Sequence, residues 1–226
     1  MNKYKILLID EQLEDIDSFL DYVENSSISE SFQVEKTYPL ETIEEMIEYI
    51  ISSNPDAIIT DFLLNDIKKY IKYNVPYNGV DIVNEFLKIK EKFPCFIITS
   101  FDSQAINSAN DVNIVYVKSF GDNETPRNGN ITFLEKVKFQ IDKYRNMIKS
   151  YEEEVKYLTH LREAQPLTII EEERLIQLYS MLEKSIDKRS GLPVEFLRSE
   201  NSNKIEELIR KTDEIINELN NTDSDE

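Results

Sequence analysis

Four apolar runs in this chain each stop at a side chain able to do chemistry. Asp56-Ala57-Ile58-Ile59-Thr60 stops at Asp61, and Lys5-Ile6-Leu7-Leu8-Ile9 stops at Asp10-Glu11. Phe96-Ile97-Ile98 stops at Thr99-Ser100, and Asn113-Ile114-Val115-Tyr116-Val117 stops at Lys118. Short continuous apolar runs of this kind are how strands buried on both faces of a parallel sheet read. In an open parallel α/β sheet the strand ends lie side by side, and ligands bind in the crevice they form. Three carboxylates, a hydroxyl and an ammonium would then converge on one spot, and so acidic a cluster suits a divalent cation with a preference for oxygen ligands.

The elements that must position these groups follow from periodicity. Residues 12 to 24 place Leu13, Ile16, Phe19, Leu20 and Val23 at helical spacing, and Asn25-Ser26-Ser27 breaks the run. Phe32-Gln33-Val34 reads as a strand, and 42 to 52 as a helix carrying Ile43, Met46, Ile47, Ile50 and Ile51. After the Asp61 strand a helix starts near Gly79 with Val80, Ile82, Val83, Phe86, Leu87 and Ile89, and a short helix over about 103 to 109 precedes the Lys118 strand. Strand and helix thus alternate five times, which implies a doubly wound five-stranded parallel sheet with right-handed crossovers.

From Thr132 onward no strand pattern is visible. A long amphipathic helix runs from Phe133 to near Ala164, a turn follows at Gln165-Pro166-Leu167-Thr168, and Thr168 with Glu171 has capping-box spacing. A second helix carries Leu175, Leu178, Met181, Leu182 and Ile186, and a third covers about 204 to 219. The expected organisation is an α/β domain over 1–130, a helical hairpin or small bundle over 131–220 and a disordered acidic tail over 221–226. The apolar stripe of the helical part packs internally or dimerises as a coiled coil.

Composition narrows the function classes. The formal charge is -18, with 15 Lys/Arg against 21 Asp/Glu in residues 131–226 (net -6) and 11 against 23 in residues 1–130 (net -12). Neither part has the clustered basic residues that attract nucleic acid or anionic membranes. Cys95 is the only cysteine and lies in an apolar strand, so it reads as core. The opening residues lead straight into a strand and no apolar run of membrane-spanning length exists, so the chain is expected to be cytoplasmic.

In type and order, Asp10-Glu11, Asp61, Thr99 followed by the small Ser100, and Lys118, each at the end of its strand, make residues 1 to about 125 resemble a response-regulator receiver domain. The resemblance implies a flavodoxin-like sheet in the order 2-1-3-4-5 and transfer of a phosphoryl group from a histidine kinase to Asp61. It implies Mg²⁺ held by Asp10, Glu11, Asp61 and the Leu63 carbonyl, with Thr99 and Lys118 reading the phosphoryl group. Phosphoryl transfer asks for positioning and charge neutralisation, which these groups would supply. The protein would be a phosphoacceptor rather than an enzyme, with output through contacts of the helical part with an unknown protein target, alone or as a homodimer.

The sequence departs from the family pattern in three places. Val115 holds the position of the family's switch aromatic, three residues before the lysine, so Tyr116 points to the opposite face of its strand. Ser119 replaces the proline that usually follows the lysine, and 18 positions separate Asp61 from Gly79, where the family has about half as many. The surplus, residues 65–77, contains Lys68, Lys69, Lys72, Tyr70, Tyr73 and Tyr77 and would cover the acceptor or dock a partner. Two alternatives follow from the same residues: a receiver fold that serves only as an adaptor or oligomerisation platform, and a relay through His160, the only histidine, whose Thr159-His160-Leu161-Arg162-Glu163 surroundings resemble a kinase phosphoacceptor box.

Overall fold

A computed structural model describes residues 3–65, 73–100, 112–118 and 131–186. The chain divides into two compact units, Met1–Met147 and Ile148–Glu226. The first is built on five parallel strands: β1 (Tyr4–Ile9), β2 (Phe32–Thr37), β3 (Ala57–Asp61), β4 (Cys95–Thr99) and β5 (Val115–Val117). Their order across the sheet is β2-β1-β3-β4-β5, the flavodoxin-like order that the receiver resemblance implies.

The central strands are what the apolar runs predict. β3 and β4 are buried at every position, and side chains alternate between two cores because successive residues of a strand face opposite ways. Leu7, Ile9, Ile58 and Ile97 pack on one face with Met46, Ile50, Val83 and Phe86. Ile6, Leu8, Ile59, Phe96 and Ile98 pack on the other with Ile16, Phe19, Leu134, Val137 and Ile141. The first core is covered by α2 (Ile43–Ser53) and α3 (Gly79–Ile89), the second by α1 (Leu13–Glu24) and the start of α4 (Phe133–Ala164).

Local signals set the helix ends. Thr42 and Glu45 form a capping box at α2, and Asn78 and Asp81 form another at α3. Asn54 ends α2 in the left-handed conformation, with φ 46°. β5 is shorter than the apolar run suggests, because Val112–Ile114 form a 3-10 turn that takes Asn113 and Ile114 out of the strand. The helix expected over 103–109, the helix over 204–219, Ser119, the 221–226 tail and the lysines of the 65–77 segment lie outside the described residues.

The described end of the 65–77 segment is anchored. Val75 and Tyr77 are buried, and Asn65 Nδ2 donates to the Val75 carbonyl at 3.2 Å. The Tyr73 hydroxyl donates to the Pro39 carbonyl at 2.7 Å and that of Tyr77 to the Leu40 carbonyl at 2.6 Å. Both bonds reach the loop between β2 and α2.

The second unit contains the end of α4 and all of α5 (Ile169–Ile186). Leu158, Leu175 and Leu178 form its core, with Tyr151, Val155, Leu167 and Tyr179 packed around them. Arg174 grips Glu154 through two bonds, Nε to Oε1 at 2.7 Å and Nη2 to Oε2 at 2.6 Å. Among the described residues this is a helical hairpin whose facing leucines pack together, while Tyr157, Ile169 and Ile170 are exposed.

Replacing Tyr77 by Phe keeps the ring in the core and leaves the Leu40 carbonyl without its donor. The expected loss is about 1 kcal/mol, read as a lower urea midpoint at unchanged slope in equilibrium unfolding.

Candidate functional site

Register brings the predicted residues to one level. Ile9 pairs with Thr60, so Asp10 lies beside Asp61 at the ends of β1 and β3. Asp61 pairs with Ile98 and Thr99 with Val117, so Thr99 and Lys118 fall one step further along β4 and β5. The Lys118 backbone N–H donates to the Thr99 carbonyl at 2.8 Å, tying these two strand ends together.

The Lys118 ammonium stands at the centre. Its Nζ is 2.8 Å from Asp61 Oδ1 and 3.0 Å from Asp10 Oδ2, and the side chain is only 9% exposed. A third carboxylate that sequence reasoning did not single out, Asp15 in the first turn of α1, takes the same ammonium at 2.5 Å. Its one sequence signal is its place one turn into a helix that opens directly after Asp10-Glu11.

The turn after β3 fixes the Asp61 side chain. The Leu63 backbone N–H donates to Asp61 Oδ2 at 2.8 Å, and Gly79 N–H donates to the Phe62 carbonyl at 3.0 Å. Gly79 is pressed against that turn: a Cβ there would lie 2.0 Å from the Asp61 carbonyl oxygen and 2.9 Å from the Thr60 side chain. Only glycine admits so close an approach of two backbones.

Burial dominates the electrostatics. Desolvation raises the Asp61 carboxyl to about 6 even though Lys118 pulls the other way. It raises Glu11 to about 7 and also lifts Asp10 above the ordinary carboxylate range, again against Lys118. Burial works to lower Lys118, but Asp61 and Asp10 outweigh it and hold the ammonium above its ordinary value. With Asp10, Glu11, Asp15 and Asp61 all ionised against this one ammonium, the group carries a net charge of -3.

The donor set has the chemistry of a divalent-cation site. Asp10, Glu11 and Asp61 offer buried oxygens, and Glu11 Oε2 is buried without any hydrogen-bond partner, a cost that a cation would relieve. In this arrangement Lys118 bridges Asp10 and Asp61, and among the described residues no three carboxylate, histidine or cysteine groups are drawn together around a metal position.

Thr99 is buried at the end of β4, within this group of strand ends. His160 lies on the helical hairpin of the second unit, its side chain 86% exposed, with Nδ1 3.5 Å from Glu163 Oε2. Tyr116 packs between Phe96 and Phe133, with ring centroids 5.9 and 5.0 Å away, while Val115 belongs to the opposite core. The alternation expected for these two residues is what the strand adopts.

No family model matches the sequence, and neither does any curated protein. Similar solved structures include the anti-anti-sigma factor PhyR from Bartonella quintana, at 17% identity and a TM-score of 0.44, over 66% of this chain and 51% of that one. The chain therefore spans about half the length of that structure. The phosphorylated cyanobacterial phytochrome response regulator RcpA is similar at 18% identity and a TM-score of 0.39, over 52% of this chain and 81% of that one. The two-component response regulator RcsB, solved bound to DNA, is similar at 14% identity and a TM-score of 0.41, over 80% of this chain and 93% of that one. The flavodoxin-like strand order of the first unit is read from its own strand pairing. No described helix is long and apolar enough to cross a membrane.

The raised Glu11 and Asp61 set a pH dependence. A carboxyl raised on folding is protonated more readily in the folded chain, so its stabilising contribution is complete below the unfolded value and is lost as pH rises through the folded one. For Glu11 that window runs from the ordinary 4.5 to about 7. In metal-free buffer Glu11→Gln should therefore gain melting temperature over the parent at pH 8 and lose most of that advantage at pH 5.

Proposed function

We propose that residues 1–130 act as a phosphorylatable receiver in two-component signalling, with Asp61 as phosphoacceptor. The observation that carries this reading is the buried Asp61 carboxylate in contact with the Lys118 ammonium at 2.8 Å, beside Asp10 and a Glu11 oxygen that has no hydrogen-bond partner.

The chemistry follows from these groups. Asp61, raised to about 6, is ionised at neutral pH and needs no base to become a nucleophile. One carboxylate oxygen attacks the phosphorus of a phosphohistidine or a small acyl phosphate in line, and the bond to the leaving nitrogen or oxygen breaks with its electron pair. The product is an acyl phosphate on Asp61. Lys118 meets the negative charge of the phosphoryl oxygens, and the Thr99 hydroxyl would donate to one of them. Asp10, Glu11, Asp61 and the Leu63 carbonyl would hold Mg²⁺, which when bound supplies the remaining charge neutralisation.

The donor in the cell would be a histidine kinase. Output would run through protein contacts of residues 131–220, a reading that rests on the net charge of -6 for residues 131–226, with no basic cluster to meet phosphate. Thr99 links acceptor to output: drawing its hydroxyl toward a phosphoryl group would pull the end of β4 inward and shift an equilibrium between two packings of the sheet edge.

Incubation of the full chain with acetyl phosphate and Mg²⁺ should add one phosphoryl group by intact mass, an addition absent in Asp61→Asn and slowed at least about tenfold in Lys118→Ala. No addition to the parent protein, together with no spectroscopic response to beryllofluoride, would replace this reading with that of a docking platform. Acid-labile label that survives in Asp61→Asn and disappears in His160→Ala would instead establish the relay.

A further inference from the structure

The Lys118 ammonium has three N–H donors, and three carboxylates take them: Asp15 at 2.5 Å, Asp61 at 2.8 Å and Asp10 at 3.0 Å. Given the acceptor reading above, these partners have different fates. Asp61 gives up an oxygen to the phosphoryl group, and Asp10 belongs to the oxygen set that would face a cation. Asp15 has neither duty. It is the third residue of α1, and that turn is fixed to β1 because Gln12 N–H donates to Asp10 Oδ1 at 2.9 Å. The buried Ile16 and Phe19 then hold the helix against the sheet.

Lys118 needs such a hold. Its backbone lies at the end of β5, two strands away from β3, so the ammonium reaches Asp61 only at the tip of a flexible four-carbon stem. We infer that Asp15 is a positioning residue, which keeps the Lys118 ammonium over Asp61 while Asp10 and Asp61 exchange their bonds to it for new ones. The inference rests on the acceptor reading. Two rival accounts of Asp15 exist: a first-turn carboxylate that serves only the helix dipole, and a negative charge that repels an incoming phosphoryl donor. The first predicts no change in transfer rate on neutralising it, and the second predicts a faster rate.

The full-length chain tests this with Asp15→Asn and Asp15→Glu in two measurements. Phosphorylation by acetyl phosphate at saturating Mg²⁺ should be about tenfold slower in Asp15→Asn at its limiting rate, with the half-saturating donor concentration within twofold of the parent, and Asp15→Glu should recover most of the rate. Competitive amine labelling read by mass spectrometry should show Lys118 at least fivefold more reactive in Asp15→Asn, with the exposed Lys88 unchanged. An unchanged or faster transfer rate, or an unchanged labelling ratio, overturns the inference. If the parent protein accepts no phosphoryl group, the acceptor reading fails, and the labelling ratio alone still decides whether Asp15 holds Lys118.

Discussion

One buried ammonium organises the first unit of this protein. Lys118 links the ends of β1, β3 and β5 with the first turn of α1 through Asp10, Asp61 and Asp15. Removing charges from water costs free energy, and here burial is strong enough to raise both Asp10 and Asp61 despite their contact with the cation. The contact is therefore weak evidence for stability: three carboxylates share a single ammonium, and burial opposes the charge of two of them.

That cluster constrains the rest of the fold. The register of β1, β3, β4 and β5 that buries their apolar faces also brings Asp61 to the same height as Asp10 and Lys118. Gly79 lets α3 begin against the Asp61 turn, and the Asn78–Asp81 capping box holds that helix start where the backbone of β3 ends. The anchored tyrosines 73 and 77 then tie the segment leading into α3 to the loop after β2.

Much of this was legible in the sequence for a physical reason. A strand buried on both faces has no room for polar side chains, so the first charged residue after each apolar run marks the strand's end, as at Asp10, Asp61 and Lys118. The capping box at Thr42 with Glu45 went unread, whereas a helix start was legible where capping-box spacing stood out, as at Thr168 with Glu171. Asp15 was not, because a carboxylate in a first helical turn has the same signature whether or not a lysine from β5, 103 positions away, comes to meet it. The shortening of β5 was hidden as well: Asn113 and Ile114 have nothing in their types to distinguish a 3-10 turn from the start of a strand. Arg174 with Glu154 belongs to the same class, a long-range partner choice that periodicity does not encode.

The placement of Tyr116 ties the edge strand of the sheet to the helix that covers it. Its ring is wedged among Phe96, Phe133 and the Lys136 ammonium, which sits 5.4 Å above it. Turning that half-buried ring outward would break its packing against Phe96 on β4 and Phe133 at the start of α4 at the same time, so the ring fastens three elements together rather than standing free at the edge of one.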